Sequence, residues 1–292
     1  MNFSEKKLNQ RSKIYKKISP TFDKKHGIIV SKKINTKDTK PLIKSIENFL
    51  HDSLTKYYKK KFIKKNFIQK HINEILGLPN VTPGGQLRGT RETMKTYNNV
   101  HKNFDTLLKK IDLYNNLERL AWFSVRIKKG IDSKEYKKHT YATSKKHSDM
   151  WAGERNHAKI VLMLIGDTKK NTVSFYKPLK FTKKTFNFGK KSFDQGLQTI
   201  KQTQYLGKAN KNEICLFDQY CLHQTYLAKG AKTRISIDMR VDIKGSRLND
   251  NRPSVKEDER MVLYSAKRWS KLNYKNIKYH NKSFRELSKL YK

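Results

Sequence analysis

Residues 212–242, NEICLFDQYCLHQTYLAKGAKTRISIDMRVD, decide how the rest of the chain is read. Within them 214–217 (ICLF) is a short apolar run of the kind that forms a buried strand, and Asp218-Gln219 breaks it. Residues 222–227 read as a second strand carrying His223, Gly230 marks a turn, and 233–242 alternates strictly. Side chains in a strand point to opposite faces in turn. Ile235, Ile237, Met239 and Val241 therefore share one face, and Arg234, Ser236, Asp238, Arg240 and Asp242 share the other. A wholly polar face usually meets water, but one that begins with Arg-x-Ser shortly after a strand-end histidine can line a pocket.

Working outward, 121–127 (AWFSVRI), 136–144, 158–166 (AKIVLMLIG), 171–176 and 199–206 also read as strands. No long helix separates these segments, which points to a double-sheet jelly roll and not to a parallel sheet. Residues 178–198, rich in Lys and Phe, read as an insertion over one mouth of the roll. Before residue 120 the period changes. Residues 1–25 are basic and read as frayed, and 26–34 as an edge strand. Pro41 is suited to open a helix that runs to about Lys60. A second helix is expected over 62–76, a turn at Pro83-Gly84-Gly85, and a third helix over 91–119 with Phe104, Leu107, Leu108, Ile111, Tyr114 and Leu117 as its stripe. The expected organisation is a mostly helical region at 1–120, a β core at 121–244, then a polar linker and C-terminal helices at 245–292.

The 292 residues carry a net charge of +41, which invites a nucleic-acid or anionic-membrane partner. Only 13 of the 66 basic residues are Arg, however, and Lys in such excess fits a solvated surface better than a dedicated phosphate reader, which concentrates Arg. Cys215 and Cys221 have neither zinc spacing nor a disulfide framework. No run reaches the length of a membrane span. A soluble, cytoplasmic protein is expected, with no membrane partner.

The chemistry lies in His147-Ser148-Asp149 together with His223. Two imidazoles and one carboxylate on one side of an iron(II) ion leave positions open for a co-substrate and dioxygen. His-x-Asp alone is a weak signal. The conjunction with His223, and with Arg234-x-Ser236 eleven residues beyond it, is what gives it weight. Arg234 is placed to hold the distal carboxylate of 2-oxoglutarate, with a hydrogen bond from Ser236.

HSDMWAGE and LFDQYCLHQT…TRISIDMRV resemble the corresponding blocks of the iron(II)/2-oxoglutarate oxygenases, and most closely the phytanoyl-CoA dioxygenase-like branch. The resemblance covers roughly residues 120–242. It implies a double-stranded β-helix of the jelly-roll, cupin-like kind, with His147, Asp149 and His223 as both catalytic residues and iron ligands. Arg234 and Ser236 would bind 2-oxoglutarate, which with dioxygen becomes succinate and carbon dioxide as a small polar metabolite is hydroxylated. Trp151, Tyr141, Arg126 and Arg240 are candidate substrate contacts; His101 and His139 are read as structural, and His157 as a surface residue or one that supports the ligands from behind. Two other readings stand beside this one. A nucleic-acid demethylase of the same superfamily would use Arg234 and Arg240 at the spacing of an RxNxTxR signature, although Ser236 and Asp238 replace its middle residues. A non-catalytic jelly-roll binding protein would be expected to lack a ligand, and this chain has all three.

Overall fold

The computed structural model describes residues 3–24, 27–79, 85–87, 89, 92–121, 124–132, 134–152, 158–187, 189–244 and 263–265. The elements run α1 (Phe3–Lys16), β1 (Ile29–Lys33), α2 (Thr36–Tyr58), α3 (Phe67–Lys70), α4 (Ile72–Gly77), β2 (Gln86–Leu87), α5 (Met94–Lys110), β3 (Leu117–Ala121) and β4 (Ser124–Lys128). They continue with α6 (Lys134–Lys138), β5 (Ala158–Gly166), β6 (Asn171–Phe181), α7 (Phe193–Leu197), β7 (Ile200–Lys208), β8 (Glu213–Asp218), β9 (Leu222–Leu227), β10 (Arg234–Ile243) and β11 (Leu263–Ser265). Two compact units result, one drawn from Met1–Ile34 with Lys128–Asp238, the other from Asn35–Ile127 with Met239–Lys292.

The first unit holds two antiparallel sheets. In one, β1 pairs with β8 (Ile29 opposite Phe217) and β8 with β5 (Ile160 opposite Leu216); the first half of β10 follows on the far side of β5. In the other, the order is β7-β6-β9. All six positions of β8 are buried, and β5 is buried at most of its nine. Strands covered on both faces read as unbroken apolar runs, which is why both were visible in the sequence. Val161, Met163, Cys215 and Phe217 of the first sheet form one core cluster with Val173 and Phe175 of the second. Each such side chain contributes about 1.5–3 kcal/mol when fully buried. This is a mixed α/β fold with two antiparallel sheets, with helices taking a larger share than expected. Neither sheet closes into a barrel among the described residues.

Two expectations fail in this unit. Residues 3–16 are not frayed but form α1, which buries Ser4, Arg11, Ile14 and Tyr15. Nor are 136–144 a strand: α6 ends at Lys138 and turns follow, with Ala142 donating to His139 O and Lys145 to Ala142 O. A Lys- and Glu-rich start favours helix, and the Ser, Thr and His side chains beyond it offer the backbone local partners.

In the second unit α2 starts at Thr36, a turn before Pro41, because Asn35 caps it with Oδ1 accepting from Lys37 N at 2.9 Å. Leu42, Ile46, Phe49, Leu50 and Leu54 are its buried stripe, and Val100, Phe104, Leu107 and Leu108 that of α5. The helix expected over 91–119 stops early, where Asp112 turns left-handed at φ 61°. Residues 117–121 become β3, which pairs with β10 (Val241 opposite Leu120) and with β11 (Tyr264 opposite Leu120). The helix over 62–76 is likewise two short ones, α3 and α4, after a left-handed Asn66. The single strand expected at 121–127 is β4 from Ser124, with 122–123 outside the described residues. The linker at 245–259 also lies outside them, as does most of 260–292, where Leu263–Ser265 is strand and not helix.

Candidate metal centre

His147 and His223 are joined backbone to backbone. His147 N donates to His223 O at 2.9 Å and His223 N to His147 O at 2.8 Å, a hydrogen-bonded antiparallel pair at the start of β9. Ser148 Oγ donates to Gln219 O at 2.5 Å, tying the His147 loop to the β8–β9 corner, and Asp149 opens a 3-10 turn. These bonds set both imidazoles and the carboxylate around one point. One ligand atom from each of His147, Asp149 and His223 lies within 4.8 Å of the others, and all three residues are buried. Phe193 of α7 stacks on the His147 ring, with centroids 4.1 Å apart at 20°, and Phe217 meets His223 edge-on at 4.8 Å.

The proton positions follow from the partners. His147 Nδ1 lies 2.8 Å from Lys145 O, and His223 Nδ1 lies 3.1 Å from Cys221 O. A carbonyl can only accept, so each Nδ1 carries a hydrogen and a neutral ring keeps its lone pair on Nε2. Burial first, then His223, pushes the His147 imidazole down to about 4, which leaves it neutral at neutral pH. Burial by itself would raise the Asp149 carboxyl, but Lys159 above all, then His223 and His147, holds it well below the usual carboxylate range. Asp149 Oδ1 thus faces the Nε2 atoms of His147 at 3.6 Å and His223 at 3.4 Å, and His223 Nε2 is buried without a hydrogen bond. Three ligand atoms therefore converge: two imidazole Nε2 atoms and one carboxylate oxygen. Donors at adjacent positions around an ion lie about 3 Å apart for metal–donor lengths near 2.1 Å. The set fits a cation, and two imidazoles with one carboxylate fit iron(II).

Arg234 is fully buried. Its Nε donates to Asn171 Oδ1 at 2.9 Å and its Nη1 to Ser236 Oγ at 2.6 Å. Ser236 therefore orients the guanidinium. Asn171 does more, because its Nδ2 reaches the carbonyls of Lys128, Lys129 and Lys232 at 2.9–3.0 Å. Gly166 makes room nearby: at φ +83° a Cβ there would sit 2.3 Å from Thr233 O. On the polar face read from 233–242, Arg234, Ser236 and Asp238 are buried and Arg240 is half-exposed.

Trp151 is completely buried, its indole N–H donating to Thr185 O at 2.7 Å. Gly196 lies so close to the ring that a Cβ would fall 2.2 Å from it. Tyr141 is half-buried, donates to Lys190 O at 2.7 Å and meets Phe193 edge-on. Residues 178–198 thus pack beside the centre through Phe193 and Gly196. Arg126, buried opposite Gln86, and Arg240, half-exposed on β10, belong to the second unit. His157 lies outside the described residues. Three residues at the site were not read from the sequence: Lys159, Asn171 and Phe193. A lysine within AKIVLMLIG was the one visible signal.

The sequence matches no family model and no curated protein. Among solved structures, it has distant matches to the non-heme alpha-ketoglutarate-dependent carbocyclase SnoK and epimerase SnoN, both from nogalamycin biosynthesis. SnoK is 8% identical at a TM-score of 0.45, over 82% of this chain and 86% of that one. SnoN is 11% identical at a TM-score of 0.39, over 87% and 92%. No helix among the described residues is long and apolar enough to cross a membrane.

Proposed function

We propose that this chain is an iron(II)/2-oxoglutarate-dependent oxygenase with a double-stranded β-helix core, hydroxylating a small polar metabolite. The observation that carries the reading is the convergence of His147 Nε2, His223 Nε2 and Asp149 Oδ1, three ligand atoms on buried residues, around one point. Iron(II) held there would supply dioxygen activation and a coordination site for 2-oxoglutarate. The chain supplies the rest. His147 and His223 are kept in one tautomer by backbone carbonyls, and Asp149 is kept ionised. Its carboxylate fills the position that a halide would need, which favours hydroxylation over halogenation. Arg234, steadied by Asn171 and Ser236, binds the distal carboxylate of 2-oxoglutarate. Phe193 and Phe217, packed on the two imidazoles, exclude water around them.

The test is succinate formation. Apo-protein loaded anaerobically with iron(II) and 2-oxoglutarate, then exposed to air with a metabolite library, should release succinate in an iron-dependent way. Arg234→Leu should raise the 2-oxoglutarate requirement at least about tenfold, since a lost charge-assisted pair costs roughly 1.5–3 kcal/mol. Its Mn(II) affinity should stay near that of the wild type, which also shows that the variant folds. Succinate at the level of the iron-free control with every metabolite would remove the proposal.

A further inference from the structure

Lys159 stands at the second position of an otherwise apolar strand. By the period of two it shares a face with Val161 and Met163, both in the core cluster. Lysine is almost never buried unless paired, and here the pairing is specific: Nζ lies 3.2 Å from Asp149 Oδ2, with the side chain 12% exposed. The other carboxylate oxygen, Oδ1, is the one that faces the two Nε2 atoms. Four residues along the same face, Met163 Sδ touches Arg234 Nη1 at 3.3 Å. One face of β5 therefore contacts both the three-donor cluster and the buried arginine. We propose that Lys159 is a positioning residue of the metal centre: it holds Asp149 Oδ2 so that only Oδ1 binds the ion, and its charge draws an anion to the open side of that ion.

This inference rests on the metal reading above and goes beyond it. A cation beside the ligand carboxylate has two opposite effects. It repels the metal ion and drains charge from its donor, which weakens metal binding, and it attracts an anionic ligand at the open positions. A lysine that merely filled space would produce neither pattern.

Lys159→Met keeps an unbranched side chain only one atom shorter and removes the charge, and Lys159→Arg keeps the charge. Mn(II) is titrated into each apo-protein by electron paramagnetic resonance, and 2-oxoglutarate is then titrated anaerobically into the Mn(II)-loaded protein. Lys159→Met should bind Mn(II) at least about threefold more tightly and 2-oxoglutarate about tenfold more weakly, the size expected for one partly screened charge. The Mn(II) spectrum should change as Asp149 Oδ2 is freed, and Lys159→Arg should restore all three readouts. Weaker or unchanged Mn(II) binding in Lys159→Met, or unchanged 2-oxoglutarate affinity, overturns the proposal while the metal reading stands. Wild-type protein that takes up no Mn(II) overturns both.

Discussion

His223→Ala is expected to lower Mn(II) or iron(II) affinity by at least about a hundredfold, since altering even the outer partners of metal ligands costs about 10–100-fold. The variant is a clean probe because the bonds that join β9 to the His147 loop are main-chain bonds. His147 N to His223 O and His223 N to His147 O survive the truncation, as does the Ser148 anchor on Gln219 O. What disappears is one imidazole packed against Phe217 and the electron pair on Nε2. The fold, followed by circular dichroism, should persist. Metal titration of the two apo-proteins decides the matter, and equal affinities would mean that the three donors are not a metal site.

The strands around this centre were legible because their physics is local. ICLF in β8 and AKIVLMLIG in β5 are apolar runs covered on both faces, and β10 shows its two faces as strict alternation. The ligand residues were legible as types and spacings. The sequence also pointed to His147, Asp149 and His223 as one set, but not to the backbone that joins them, because the His147–His223 bridge links residues far apart in the chain and replaces the regular strand expected before His147. Asp149 reaches the centre from a 3-10 turn, which its spacing from His147 does not reveal. Asn171 gave no sign of its role, since an asparagine opening a strand looks like any turn residue until its three carbonyl partners are known. Helix α1 was missed for a related reason. Its buried positions, Ser4, Arg11, Ile14 and Tyr15, include a hydroxyl and a guanidinium, so a search for an apolar stripe passes over it.

That buried guanidinium leads to the second large effect, a stability change in Asp218 variants. Arg11 of α1 and Asp218 at the end of β8 are 2% and 0% exposed, with Nε and Nη2 at 2.7 and 2.6 Å from Oδ2. Burial is the largest single influence and disfavours the charge on Arg11, but Asp218, helped by Tyr15 and Tyr220, outweighs it and raises the guanidinium above the ordinary arginine range. The other carboxylate oxygen accepts from Tyr220 N at 3.0 Å, shaping the corner that leads into Cys221 and His223. Asp218→Ala removes one charge from a desolvated pair, and such losses cost about 3–5 kcal/mol. Arg11→Met should be nearly as damaging. Replacing both charges with apolar groups avoids a buried uncompensated ion and is often close to neutral. Arg11→Met/Asp218→Leu should therefore be clearly more stable than either single variant. Urea unfolding of the four proteins measures this directly, with a coupling energy above about 2 kcal/mol expected. Additive losses would show that α1 is held by its apolar residues, Ile14 and Tyr15, and not by the ion pair.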